Sequence, residues 1–340
     1  MTRAFATVRR LNRPAFAALL ALDAALGMAQ TGHLPSTVRQ VAMFATVAAW
    51  MLFAVAVNDL ADEAIDRVNL GDDAGRVLVA GTASRREVAT IAVLAALCSL
   101  ASAVVVGGGG LIVVGAGLAL AAAYSLPPFR LSSRGALTSA LLPLGYVGVP
   151  YLVGAFAAGA TQFHPVLLVG LYLGFTGRLV LKDFRDEHGD RLYGKRTFLV
   201  RHGRNRTLLF SAVFWSTGAV VALGGVPRRL GTMVAVLAFM ATVLALLADI
   251  ARDDDGARDI ANIAAVAILG RALLSTVLCQ LVMSIDGRSL LQQTVVGIAL
   301  AVASIGRAWE CHRTAVTAVD TPARTRFGRL AALTLRTSGS

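Results

Sequence analysis

Long apolar runs alternate with short polar ones along the chain. Apolar blocks fall at about 14–32, 40–58, 88–106, 109–126, 136–158, 164–182, 207–225, 230–250, 259–283 and 290–308. Most approach the roughly 20 residues a helix needs to cross a hydrocarbon core of about 30 Å. Inside a bilayer the backbone N–H and C=O groups find no water, so the blocks predict helices. A barrel would show shorter segments of alternating character. The pattern therefore predicts an all-α fold with ten spans. Block 14–32 has no clear small-residue cleavage site and a second block follows closely, so it reads as a mature helix rather than a leader. The glycines at 107–110 predict a tight turn, and Ser84 to Glu87 a capping box opening the third span.

Composition places these helices in a membrane. The chain is 56% hydrophobic and 15% charged, whereas charged residues make up about a quarter of soluble domains; mean hydropathy is +0.68. The expectation is one integral membrane domain over 1–340, with a possible extra span at 290–308 and a polar cytoplasmic tail at 309–340. Of the 32 lysines and arginines, 26 lie in the N-terminus, the loops 59–87, 127–135, 182–206 and 251–258, and the segment from Arg307 onward. The opposite loops carry only Arg39, Arg228, Arg229 and Arg288, and Arg178 and Arg271 fall within spans. Because basic residues stay on the cytoplasmic side, both termini and every long polar loop are expected there. That distribution accounts for the net charge of +12 through the lipid bilayer and its anionic headgroups, without nucleic acid. Cys98, Cys279 and Cys311 have no CxxC spacing, so neither a disulfide nor a zinc site is expected.

Chemistry is then to be sought in the cytoplasmic polar segments. In "NDLADEAIDR", Asn58 to Arg67, the residues Asp59, Asp62 and Asp66 stand at i, i+3 and i+7. A helix leaving the membrane would present all three on one face, where like charges repel. In "KDFRDEHGD", Lys182 to Asp190, the residues Asp183, Asp186 and Asp190 repeat that spacing. Each row begins at the cytoplasmic end of an apolar span. Two such rows at one membrane face make sense around divalent cations, and Mg²⁺ is commonly held by one or two carboxylates together with substrate phosphates. The interleaved bases Arg67, Arg76, Lys182, Arg185, Arg191 and Lys195 supply donors for phosphate oxygens. The combination reads as a Mg²⁺-diphosphate site.

These residues resemble a known family. "NDLADEAIDR" looks like the NDxxDxxxD motif of the UbiA superfamily of intramembrane prenyltransferases, and "KDFRDEHGD" like its second motif, DxxDxxxD. Between them "YSLPPFRL", Tyr124 to Leu131, is similar to the family's YSxPPxRLK segment, with Ser132 in place of the lysine. The family's "RPL" is "RVL" here, Arg76 to Leu78. The resemblance implies a ring of nine to ten antiparallel helices around a central cavity with a cytoplasmic cap and a lateral opening to lipid, in a bacterial or archaeal cell membrane. It also implies Mg²⁺ as cofactor, in two or more ions. Asn58, Asp59, Asp62 and Asp66 would hold one ion and Asp183, Asp186 and Asp190 another. Asn58, Arg67, Arg76, Arg130 and Lys182 would serve the diphosphate, and Arg130 would assist its departure. Tyr124 would stabilise a carbocation through its ring face.

The implied reaction is transfer of a prenyl group from a polyprenyl diphosphate donor to a lipophilic acceptor, expected to be aromatic. Cyclisation of the donor's own chain uses the same machinery and stays open as an alternative. Transport is disfavoured, because transporters concentrate polar groups near the midplane. Asp23 and Arg271 lie deep in the first and ninth blocks, where an ionisable group is costly, so they either pair or line the cavity separately. Arg178, one turn before Lys182, is expected to reach toward the same polar site. His188 is not expected as a ligand, since the carboxylates already suit Mg²⁺.

Overall fold

The computed structural model describes residues 3–70, 76–134, 136–160, 165–227, 229–252 and 256–319, and no strand occurs among them. Helices α1 (Arg3–Leu11), α2 (Pro14–Ala29) and α3 (Thr37–Leu70) precede α4 (Arg85–Val106) and α5 (Gly108–Ser125). Helices α6 (Ala136–Pro143) and α7 (Val149–Ala157) are joined by a π-helical turn, Leu144–Gly148. Helix α8 (Pro165–Leu179) tightens into a 3₁₀ turn, Val180–Lys182, and continues as α9 (Asp183–Leu192). The last helices are α10 (Phe198–His202), α11 (Arg204–Gly224), α12 (Leu230–Arg252), α13 (Gly256–Ile285) and α14 (Leu290–Val319).

Nine stretches among the described residues, from Thr37–Val68 to Leu290–Arg313, are long and apolar enough to cross a bilayer. The first expected span is the exception. Helix α2 has only 16 residues, about 24 Å at 1.5 Å per residue, and protein rather than lipid encloses much of it. A Cβ at Gly27 would stand 1.9 Å from the Tyr151 carbonyl oxygen of α7, and one at Gly154 the same distance from that of Ala24. Such small-residue approaches are how membrane helices gain packing contact without a hydrophobic driving force between them.

The helices follow one another around a ring. Helix α2 touches α3, α3 touches α4 and α5, and α5 touches α7; α6 and α8 pack together, and α8, α11, α12 and α13 follow in order until α13 closes on α2. Helix α14 lies against α12 and α13. Large apolar side chains such as Leu94, Val104, Ile112, Leu291 and Val302 point outward and are exposed, an arrangement that lipid accommodates and water does not.

Three local expectations meet the structure differently. The capping box is present: the Ser84 hydroxyl accepts from the Glu87 N–H and the Glu87 carboxylate from the Ser84 N–H. The glycine turn contracts to Gly107, whose φ of +116° joins α4 directly to α5. Helix α14 runs on into the segment expected as a polar tail and ends at Val319; "WECHRTAV" contains no helix breaker and its His312 bonds Asn262 of α13. Residues 320–340 lie outside the described residues.

Candidate active site at the mouth of the ring

Helix α3 runs without a break from its apolar half into the first acidic row, so Asp59, Asp62 and Asp66 turn to one side and are all buried. Their partners come from elsewhere in the chain. Arg13, immediately before Pro14 at the start of α2, donates to Asp59 Oδ1, and so does Arg76. Arg76 Nε also stands 3.3 Å from Asp66 Oδ2. Asp62 receives Asn58 Nδ2 at 3.1 Å, Arg130 Nη2 at 3.3 Å and Lys195 Nζ at 3.2 Å. Arg130 holds a left-handed backbone with φ of +37° at the end of the Tyr124 to Leu131 segment.

The second row lies on α9. Asp183 and Asp186 occupy its first turn, just beyond the 3₁₀ turn through which α8 runs on into α9. Lys182 Nζ is 3.2 Å from Asp183, and Arg185 Nε is 2.9 Å from Asp186. Lys195 joins the two rows: the ammonium that bonds Asp62 is also 3.8 Å from Asp190 Oδ1. Asp66 and Asp186 are close enough to repel each other. The structure therefore brings together Asn58, Arg76, Arg130, Lys182 and all six aspartates. Arg67 is not brought in. It is 57% exposed and pairs with Glu63 at 2.8 Å along the outer side of α3, whereas Arg76 is 14% exposed among the aspartates.

Beneath the mouth the wall is aromatic. Tyr146, carried by the π-helical turn, has ring centroids 5.6 Å from Phe16 and 5.4 Å from Phe175. Insertions of this kind in a helix often mark functional positions. Phe16 and Phe175 help line a cavity of about 70 Å³ between α2, α8, α11 and α13, together with Leu171 and Trp215. Asp23, Arg178 and Arg271 face the same cavity. Asp23 and Arg271 line it separately, and neither Asp23 oxygen has a hydrogen-bond partner. Tyr124, at the end of α5, lies within the electrostatic reach of Lys182, Asp183 and Asp62. Reading the sequence alone missed Arg13, Tyr146, Phe16 and Phe175 as members of the site. Only Arg13 left a signal, since the following Pro14 marks a helix start and so places that arginine at the membrane face.

An expected Mg²⁺ can be tested against this donor set. The six carboxylates are the hard oxygen ligands Mg²⁺ prefers. Among the described residues, however, no three acidic, histidine or cysteine side chains converge as a ready ligand set, because arginines and lysines cover the aspartates. The residues fit an ion held by one or two carboxylates and completed by phosphate and water, and they do not form an all-protein cage.

Residues 16–269 match the UbiA prenyltransferase family. The chain belongs to that family. Among curated relatives of this family it is similar to the bacteriochlorophyll synthase 34 kDa chain of Chloroflexus aurantiacus, with 30% identity over 149 residues, 44% of this chain and 47% of the relative. It is also similar to digeranylgeranylglyceryl phosphate synthase of Halobacterium salinarum, with 33% identity over 161 residues, 47% of this chain and 55% of the relative. The chain thus spans about half the length of these curated relatives. The fold resembles that of a UbiA homolog from Archaeoglobus fulgidus bound to DMAPP and Mg²⁺, at a TM-score of 0.59 and 20% identity over 79% of this chain and 99% of that one. An apo UbiA homolog from Aeropyrum pernix gives a TM-score of 0.64 at 20% identity, over 78% of this chain and 97% of that one. The all-helical UbiA fold and an integral membrane protein follow.

Proposed function

We propose that the chain acts as a single integral membrane unit that transfers a prenyl group from a prenyl diphosphate to a lipophilic, aromatic acceptor, with Mg²⁺ as cofactor and the mouth facing the cytoplasm. The observation that carries this reading is Lys195 standing between Asp62 and Asp190: two acidic rows distant in sequence share one mouth, directly above an aromatic and apolar wall. That is the shape of a site for an amphiphile with a highly charged head. The name digeranylgeranylglyceryl phosphate synthase and the DMAPP and Mg²⁺ of the Archaeoglobus homolog support prenyl transfer from a diphosphate and the cofactor.

In this reading one or two carboxylates of the row Asp59, Asp62 and Asp66 would hold one ion and one or two of the row Asp183, Asp186 and Asp190 another, with diphosphate oxygens and water completing each. When bound, Mg²⁺ neutralises charge on the departing diphosphate. Arg76, Arg130, Lys182, Arg13 and Lys195 now bond carboxylates and are placed to donate to diphosphate oxygens instead. The allylic C–O bond breaks with its electron pair leaving on the diphosphate. The cation then faces the rings of Tyr146, Phe16, Phe175 and Tyr124, an attraction worth about 2 kcal/mol when desolvated. A carbon of the acceptor ring supplies the π pair for the new C–C bond, and the ring then loses a proton. Helices on all sides exclude the water that would quench the cation.

The test uses purified protein freed of endogenous lipid acceptors, incubated with geranylgeranyl diphosphate and Mg²⁺. We expect diphosphate release to require an added phenolic or quinol acceptor and to yield its prenylated product. Efficient conversion of the donor alone into a cyclic hydrocarbon would replace transfer by cyclisation.

A further inference from the structure

A second and larger cavity lies at the end of the ring remote from the mouth, and prenyl transfer makes no use of it. It holds about 470 Å³, against about 70 Å³ for the cavity beneath the mouth. Gln30 lines it at the end of α2, Val166 at the start of α8, Pro227 after α11, and Leu281, Ser284 and Ile285 at the end of α13. Helices α2 and α8 meet the mouth at their opposite ends, through Arg13 and Lys182. The same four helices wall the inner cavity, but Leu26, Leu167 and Val277 fill the level between the two with buried core. This is also where α13 closes the ring on α2.

The lining is mostly apolar, yet it carries an amide with nothing to bond. Both Nε2 and Oε1 of Gln30 are buried without a hydrogen-bond partner. A primary amide offers two donors and an acceptor, and burying all of them unsatisfied is costly. A hydrocarbon tail would leave that cost in place, whereas a group rich in oxygen, both donating and accepting, removes it. The adjoining loops add positive charge. Arg229, two residues beyond Pro227, keeps its Nε buried without a partner, and Arg288, three residues beyond Ile285, is exposed; the acid in these loops is Asp286. Loops on this side carry few bases, as topology requires, so topology does not explain two of them beside one cavity. Val166 lines the cavity and is nevertheless 42% exposed. The cavity therefore also opens sideways, onto the surface that lipid covers.

We propose that this cavity binds an anionic glycerophospholipid of the leaflet opposite the mouth. The glycerol oxygens bond the Gln30 amide and the Ser284 hydroxyl, and the phosphate answers the charge of Arg229 and Arg288. The acyl chains leave past Val166 and run along the outside of the ring. A lipid seated there touches α2 and α13 at once, so it holds the ring closed at its seam. None of these residues serves the mouth, and the site stands whatever reaction occurs there.

The test uses the full chain in detergent, stripped of lipid and held with excess inorganic diphosphate to occupy the mouth. Radiolabelled dioleoylphosphatidylglycerol, dioleoylglycerol and glycerol 1-phosphate are titrated in turn, and the thermal transition is read in parallel. We expect saturable binding of the phospholipid roughly tenfold tighter than that of dioleoylglycerol, and no saturable binding of glycerol 1-phosphate over the same range. At saturation the phospholipid should raise the transition by several degrees, because it binds the closed ring and not the unfolded chain. Ser284→Phe, which fills the cavity, should lose one equivalent of bound phospholipid. Gln30→Leu removes an unpartnered amide, so its lipid-free transition should be no lower than that of the parent, while the rise with phospholipid should be lost. A glutamine with a merely structural role would instead lower the lipid-free transition. Glycerol 1-phosphate binding as tightly as the phospholipid would make this a site for free phosphate, and equal affinity for dioleoylglycerol would remove the role of the phosphate. Parental binding in both variants, or no rise with phospholipid, would leave the cavity to water. Each of these results would overturn the proposal.

Discussion

Acids and arginines gather at two places near the mouth-side end of the ring, and the two gatherings are built on different plans. At the junction of α11 to α14 each acid has its own arginine. Arg204 meets both oxygens of Asp259, at 2.6 and 2.8 Å, and also donates to the Ile250 carbonyl oxygen. Arg258 meets both oxygens of Asp249, at 3.0 and 2.8 Å, and Asn262 bonds both Asp249 and His312. These are forked, complementary pairs that tie four helices together. At the mouth the acids stand in self-repelling rows and four of the six share bases: Arg76 serves Asp59 and Asp66, and Lys195 serves Asp62 and Asp190. A forked pair loses much by opening. A shared base loses less, because a phosphate can replace the carboxylate it leaves. The junction is thus fitted to hold helices, and the mouth to exchange partners with a ligand.

That contrast is open to attack from both sides. Arg76→Gln, which takes a shared base from the mouth, should cost about a hundredfold in kcat/KM or roughly 2.7 kcal/mol of transition-state stabilisation, with any fall in the thermal transition too small to unfold the protein at the assay temperature. Steady-state assays of prenyl transfer beside a detergent-resistant melting curve check both halves. Asp259→Asn should do the reverse. It weakens a charge-assisted pair by about 2 kcal/mol and should lower the melting temperature by several degrees, while turnover below the transition stays near that of the parent. Arg67→Gln should have the smallest effect, within about twofold in activity, because that side chain pairs with Glu63 on the exposed side of α3. A large loss in Arg67→Gln would place a diphosphate contact where the structure has none.

Some of this was legible in the sequence and some was not, for physical reasons. The acidic rows could be read because i, i+3, i+7 spacing matches the helical period, and α3 carries its row on an unbroken helix. Apolar block lengths announced the spans from α3 onward and the added helix α14. Base partners could not be assigned, since Arg13, Arg76 and Lys195 meet their aspartates only once the ring has closed. Sequence adjacency does not place Arg67, which directly follows the acidic row yet turns outward on the helix. The π-helical turn that brings Tyr146 inward is an insertion of local geometry that apolar periodicity does not record. The forked pairs of the junction left no trace, because single acids in separate helices carry no spacing.

The central claim is that both acidic rows act together through Mg²⁺ on one diphosphate. It is tested most directly by measuring inorganic diphosphate release from geranylgeranyl diphosphate, with acceptor present, across a Mg²⁺ series for the parent protein, Asp62→Asn and Asp186→Asn. The account expects no release in EDTA, restoration by Mg²⁺, and turnover lower by about two orders of magnitude or more in each variant, with membrane insertion intact. Release that persists in EDTA, or either variant turning over at the parental rate at limiting Mg²⁺, would contradict it.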